Sequence, residues 1–178
     1  DMGALYLEYL SQAHGGLRKF SGLCEIKGTI LGRSFTYDGV LTFRGPGQLD
    51  VDLLGPLFTP LLRIRMTPEG FSMDPVHIEG ISTEALTQAA VNAFSALRDY
   101  FSGKFFNEGS VKHKSGWRAQ TLSIPGWQLG LGVSGLRVES LEAQEGASLR
   151  IDLAQFKPQK GRQIPTRFTI GGRGYSFA

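Results

Sequence analysis

With 178 residues, 41% hydrophobic and 20% charged side chains and a formal charge of +3, the chain has the make-up of one globular domain, expected to span 1–178. No apolar run approaches the roughly 20 residues that cross a bilayer as a helix, and the cations alternate with acids instead of forming the basic face that nucleic-acid binding requires. The 24 glycines and eight prolines are spread along the chain, which points to many short elements joined by turns.

The first element is helical. In "MGALYLEYLSQAHGG", Met2, Leu5, Tyr6, Tyr9, Leu10 and Ala13 recur at helical spacing, and Gly15 and Gly16 stop the pattern. Its polar face lacks the cations of interfacial helices, so packing on the core is the expectation.

The period then changes to two. In "RSFTYDGVLTFR", Phe35, Tyr37, Leu41 and Phe43 share one face against Ser34, Thr36, Asp38 and Thr42. "QLDVDLL" alternates Leu49, Val51 and Leu53 against Asp50 and Asp52, and "LLRIRM" alternates Leu62, Ile64 and Met66 against Arg63 and Arg65. Clean alternation means one wet face and one apolar face, hence an antiparallel meander that needs a cover on one side.

Between two of these strands lies "LLGPLFTPLLRIRM". Gly55, Pro56 and Pro60 break regular structure, so the middle is a hairpin tip, yet it carries Leu57, Phe58 and Leu61 where turn chemistry favours Asn, Asp or Ser. Such a tip folds back on the protein, docks with a partner or dips into lipid. Burying each of these side chains contributes roughly 1.5–3 kcal/mol in any of the three.

The cover comes next. In "STEALTQAAVNAFSALRDYFSG", Leu86, Ala89, Ala90, Ala93, Phe94, Leu97 and Phe101 recur at steps of three and four. Ser82 or Thr83 can cap the start, Glu84 suits the first turn, Arg98 the last, and Gly103 the stop. Strands return in "SVKHKSGWRAQTLSI", "GLRVESLEA", "ASLRIDLAQF" and "TRFTIGGRGYSF". The expected fold is α+β: a strongly curved antiparallel sheet of about ten or eleven strands, an incomplete barrel covered by two or more helices.

Chemistry-bearing motifs are sparse. His14, His77 and His113 sit in unrelated contexts without ligand spacing, and there is no "GxSxG", "HExxH", P-loop or "CxxC". "GLGVSG" from Gly130 is followed by no helix pattern, so it reads as a turn. Asp50 with Asp52, and Glu139 with Glu142, read as solvated strand faces rather than paired catalytic acids. Cys24, alone, cannot form an internal disulfide; in "LCEIKG" it reads as a small half-buried side chain, and the preceding residues are no lipid-attachment signal. Arg98, Lys104, Lys112, His113, Lys114 and Arg118, with Phe105, Phe106 and Trp117 among them, suit a phospholipid surface or ordinary surface charge.

Taken together, the order of elements resembles the LolA and LolB family of bacterial lipoprotein carriers and receptors. The resemblance rests on the initial helix, on "FSGLCEIKGTILGRSFTYDGVLTFRGPGQLDVDLLGP" as a first meander, on the apolar hairpin "GPLFTP", on the helical insertion after "MDPVHIEG", and on the ending "LRIDLAQFKPQKGRQIPTRFTI". It implies a non-enzymatic protein whose concave apolar surface takes up lipid or lipoprotein acyl chains, with no cofactor and no metal. The expected lining is Phe35, Tyr37, Leu41, Phe43, Val51, Ile64, Phe94 and Leu97. In LolB-like members a bulky aliphatic residue at the loop tip helps lipid transfer into the outer membrane, and Leu57 or Phe58 matches it, with Leu61 beside them. The lid arginine of the carriers has two candidates by strand position, Arg33 and Arg44. The implied setting is the periplasmic side of a bacterial membrane, anchored through a lipidated cysteine upstream of Asp1, with the membrane surface and another periplasmic or outer-membrane protein as candidate partners. The alternative is a scaffold lipoprotein with a packed barrel that docks a protein through the 57–61 loop; an enzyme is the third option.

Overall fold

The computed structural model describes residues 2–14, 19–74, 78–106, 112–115, 120–132, 137–144 and 148–178. In chain order the elements are α1 (Met2–His14), β1 (Lys19–Ile30), β2 (Arg33–Arg44), β3 (Gln48–Leu54), β4 (Pro60–Thr67), β5 (Gly70–Asp74) and α2 (Thr83–Ser102). They continue as β6 (Lys112–Ser115), β7 (Gln120–Ile124), β8 (Trp127–Leu131), β9 (Val138–Ala143), β10 (Arg150–Gln159), β11 (Arg162–Gly172) and β12 (Tyr175–Phe177). The chain divides into two compact units, one of Leu17–Ser102 with Gly174–Ala178 and one of Asp1–Gly16 with Gly103–Arg173. The antiparallel strand order is β5-β4-β3-β2-β1-β12 in the first and β11-β10-β9-β8-β7-β6 in the second. Strands β5 and β6 end the order, so the sheet is open.

In the first unit the alternation seen in sequence becomes a ladder of matched faces. Leu41 faces Val51, which faces Ile64, and Phe43 faces Leu49, which faces Met66, so each row continues across β2, β3 and β4 on one face. On the other face Asp50 meets Arg65 and Asp52 meets Arg63, with Nε–carboxylate distances of 3.2 and 2.8 Å. The sequence expected a meander with one apolar face, and the register delivers it.

Helix α2 covers that face. Ser82 caps it: its Oγ accepts the Ala85 N–H at 3.1 Å, and Gly103 ends it at a φ of 76°. Every expected inward residue, from Leu86 to Phe101, is buried. The Phe101 ring lies 5.6 Å from that of Phe20 and 5.7 Å from that of Phe43, while Phe94 meets Phe177 at 5.4 Å. Aromatic pairs at these spacings add about 0.5–1.5 kcal/mol beyond area burial. Arg98 does not serve the last turn as expected. The helix runs on to Ser102, and the guanidinium donates instead to the Thr67 carbonyl at the end of β4, 3.0 Å away.

The second unit repeats the logic with Leu122, Leu129, Leu141 and Ile151 as a fully buried row across β7 to β10. Phe105 sets its ring edge against Trp127 at 4.7 Å. Helix α1 packs here, but not in the expected phase. Leu7 and Leu10 are its buried residues, whereas Leu5 and Tyr9 are exposed. The helix is apolar around most of its circumference, so spacing alone could not decide which stripe faces inward. The side chains of Met2, Tyr6 and Ala13 are outside the described residues.

One close approach in the first unit is diagnostic. The Phe35 ring lies across Gly28, its cross-strand partner, in the space a Cβ would occupy. Gly28→Ala is therefore expected to destabilise the protein by about 1–3 kcal/mol in urea unfolding, and the added Phe35→Leu change, which shortens the overlying side chain, is expected to recover part of that loss.

Candidate functional site

The helix-facing side of β1 and β2 carries the candidate site. Along β1 this face shows Phe20, Gly22, Cys24, Ile26, Gly28 and Ile30; along β2 it shows Phe35, Tyr37, Gly39, Leu41 and Phe43. The expected lining separates into two groups here. Phe35, Phe43, Val51, Ile64, Phe94 and Leu97 are buried, Phe43, Val51 and Ile64 completely; the Phe43 ring lies against Phe101, and the Phe35 and Phe94 rings lie against Phe177. They form the packed seam between the sheet and α2. Tyr37 and Leu41 are only half-buried.

On β1 three neighbours share that half-open state: Phe20, opposite Phe43, Gly22, opposite Leu41, and Cys24, opposite Gly39. Gly22, Cys24, Tyr37 and Leu41 make a continuous apolar strip covering the rows from Gly22 to Ile26, about 14 Å at 3.4 Å per residue. Its floor is low because two of its members, Gly22 and Gly39, have no side chain. Gly39 is closed over by Ile26, whose Cδ1 lies 2.7 Å from where a Cβ would stand, but Gly22 is approached only by the Phe20 ring edge at 3.3 Å. Burial, with the Asp38 carboxylate adding to it, pushes the Cys24 thiol above its ordinary pKa, so it is a neutral, weakly nucleophilic wall of the strip.

The tip between β3 and β4 is built differently. Residues Pro56–Phe58 form a single 3₁₀ turn closed by the Gly55 N–H donating to the Thr59 carbonyl at 2.8 Å, and the Thr59 hydroxyl donating to the Pro56 carbonyl at 2.8 Å. Leu57 and Phe58 both take left-handed backbone conformations, with φ of 59° and 57°, and are 94% and 74% exposed. A left-handed conformation costs a residue with a Cβ roughly 1–2 kcal/mol, so the loop accepts strain to point two apolar side chains into solvent. Leu61 is not with them. It is half-buried and its Cγ would lie 2.9 Å from a Cβ on Gly55, so it braces the loop from below.

The polar candidates are paired among themselves. Arg63 and Arg65 hold Asp52 and Asp50, as above; in the second unit Glu139 meets Arg137 at 3.2 Å and Glu142 meets Arg150 at 3.6 Å. An open groove of about 560 Å³ on the second unit, bordered by Gln128, Glu139, Ser140 and Arg150, is lined by these same ion pairs. No group of three His, Cys, Asp or Glu side chains that could hold a metal occurs among the described residues. His77, Trp117 and Arg118 and the side chains of His14 and His113 are outside the described residues, as are Val133, Ser134 and Gly135 of "GLGVSG", whose Gly130 and Leu131 end β8 instead of forming a turn. Arg33 and Arg44 are both exposed, at opposite ends of β2.

Because Leu57 and Phe58 touch little of the protein, replacing both by Asp is expected to change unfolding free energy by no more than about 0.5 kcal/mol. A melting temperature depressed by many degrees would instead mark the tip as part of the core.

No family model and no curated protein matches the chain. Solved structures do. A LolA superfamily protein from Nitrosomonas europaea superposes with a TM-score of 0.61 at 15% identity, over 98% of this chain and 89% of its own. A putative outer membrane lipoprotein-sorting protein domain from Vibrio parahaemolyticus superposes with a TM-score of 0.50 at 11% identity, over 99% and 88%. With the open antiparallel sheet, the two helices and near-complete coverage in both superpositions, the chain has the fold of the LolA/LolB-like superfamily.

Proposed function

We propose that this protein binds acyl chains of a lipid or lipoprotein without chemistry, along the half-open strip of Gly22, Cys24, Tyr37 and Leu41, and presents Leu57 and Phe58 to a membrane. The observation that carries the reading is the strip itself. A face otherwise closed by α2 leaves one apolar run uncovered, floored by glycine, and burying apolar surface there contributes about 25 cal/mol per Å². A methylene chain suits such a run, since it asks for no hydrogen bonds and tolerates variable length. The two similar solved structures, one described as lipoprotein-sorting, support the choice of ligand class. The reading further includes no cofactor, one LolA/LolB-like domain over 1–178 and a role in lipid or lipoprotein trafficking on the periplasmic side of a bacterial outer membrane. Among the described residues no helix is long and apolar enough to cross a membrane.

A second reading has its own observation. Phe43, Val51 and Ile64 are completely buried, as expected of a packed scaffold that docks a partner through its tip. In that case Phe35, Phe43, Val51, Ile64, Phe94 and Leu97 are core and nothing else.

Cys24 separates the two readings, because it stands in the strip and carries a reactive atom. Mass spectrometry of solvent extracts is expected to find copurifying phospholipid or acylated peptide. Alkylation of Cys24 by a maleimide at pH 8 is expected to slow several-fold when a lysophospholipid is added below its micelle concentration. Unchanged alkylation together with lipid-free extracts would leave the scaffold. Gly22→Leu, which fills the strip from its floor, is expected to abolish the protection while Leu57→Asp retains it.

A further inference from the structure

The first unit carries another apolar tip. Strands β1 and β2 are joined by two residues only, Leu31 and Gly32, between the paired Ile30 and Arg33. Both central residues have positive φ, 49° and 80°, as in a type I′ hairpin turn. Asn-Gly or Asp-Gly is the ordinary choice there, because a short polar side chain tolerates the left-handed region. Leucine is not. Leu31 is nonetheless 74% exposed, so burial within the protein does not compensate for the strain.

The second unit supplies an internal comparison. Its β10–β11 hairpin uses the same turn, Lys160 and Gly161 at φ of 48° and 76°, and puts a lysine where the first unit has a leucine. The turn geometry therefore accepts a charged side chain, and the leucine at 31 answers to something other than the backbone.

Register places Leu31 at the same end of the strands as Leu57 and Phe58. β2 runs antiparallel to β3 with Asp38 opposite Leu54, so the start of β2 and the end of β3 point the same way. Among the described residues of this unit, the three non-glycine residues with positive φ are large, apolar and exposed, and all three sit at this end. Neither tip contains a carboxylate: Ile30 to Arg33 and Gly55 to Leu61 hold one charge between them, the exposed Arg33. Projecting apolar side chains flanked by a single cation match a phospholipid bilayer, whose soft interface admits convex points and whose phosphates meet a guanidinium.

We infer that Leu31 is a second membrane-inserting tip, so that the first unit meets a phospholipid bilayer at two points, the β1–β2 turn and the β3–β4 loop. This rests on the membrane reading of Leu57 and Phe58 and extends it to an orientation. The start of β2 lies five residues beyond Asp38, about 17 Å at 3.4 Å per residue, so the tips are staggered and both reach a flat surface only with the strands inclined to it.

Flotation with vesicles of phosphatidylethanolamine and phosphatidylglycerol tests it. Leu31→Asn, which suits the turn and should keep or raise the melting temperature, is expected to weaken vesicle binding roughly tenfold. Leu23→Asn is the control, since Leu23 is 83% exposed but lies mid-strand on β1; binding is expected within about twofold of wild type. An environment-sensitive dye on L31C in a C24S background is expected to shift to the blue on adding vesicles. If Leu31→Asn binds as wild type while the Leu57→Asp, Phe58→Asp double variant does not, Leu31 is no contact and the loop reading stands. If wild type fails to float, both fall. Equal weakening by Leu23→Asn would also overturn the inference, because it would show general stickiness rather than a tip.

Discussion

The close packing of α2 on the apolar face of β1 to β4 is the contact on which the other features of the first unit depend. A sheet with one apolar face cannot stand in water uncovered, and a single helix about 10 Å across can cover only part of a face several strands wide. The aromatic contacts of Phe94 and Phe101 fix where the helix lies. On β1 and β2 the residues change character: Gly22, Cys24 and Gly39 replace the leucines and isoleucines found at the same phase of β3 and β4. Small residues where a helix does not reach would create a void in an ordinary core, at a cost that grows with the volume left unfilled. At the edge of the helix they open a run to whatever apolar molecule can lie in it.

Alternation made β2, β3 and β4 legible in the sequence because each of these strands has one wet and one dry face, and the ion pairs of Asp50 and Asp52 lie on the wet one. Helix α2 was legible for the matching reason: its seven expected inward residues fall on a single stripe and are all buried. Strand β1 was harder. In "FSGLCEIKGTI" the inward phase is carried by glycines and a cysteine as well as by Phe20, Ile26 and Ile30, so its hydrophobic contrast is weak although its period is strict. That is why Gly22 and Cys24 were missed while Tyr37 and Leu41, their partners across the ladder, were named. The same weakness hid the phase of α1, whose leucines and tyrosines occupy more than one face.

Which inward residues are packed and which are open was beyond periodicity altogether. Val51 and Leu41 face each other across the β2–β3 ladder with the same phase, yet one is fully buried and the other half-open. Burial depends on what packs over each residue from elsewhere in the chain, a long-range fact that no local pattern encodes. Leu61 shows the same limit on a smaller scale: adjacent to the exposed tip in sequence, it turns back onto Gly55 because that residue has no side chain to keep it away.

The strained tips and the open strip belong to one argument about energy. A large apolar side chain on a floppy loop would lose its freedom on entering a bilayer, and ordering such a side chain costs about 0.5–1.5 kcal/mol. Leu57 and Phe58 stand on a loop closed by four hydrogen bonds to backbone carbonyls and braced by Leu61, and Leu31 on a two-residue turn whose Leu31 N–H donates to the Gly174 carbonyl at 2.8 Å. Their backbones are already ordered before any contact. Under the proposed membrane role, folding has already met the backbone ordering cost and the left-handed strain, of order 1–2 kcal/mol per residue, so insertion would be charged only for the side chains' own freedom. The lysine on the equivalent turn of the second unit shows that the same backbone forms with a residue that prefers water, so the turn itself does not call for an apolar side chain at Leu31.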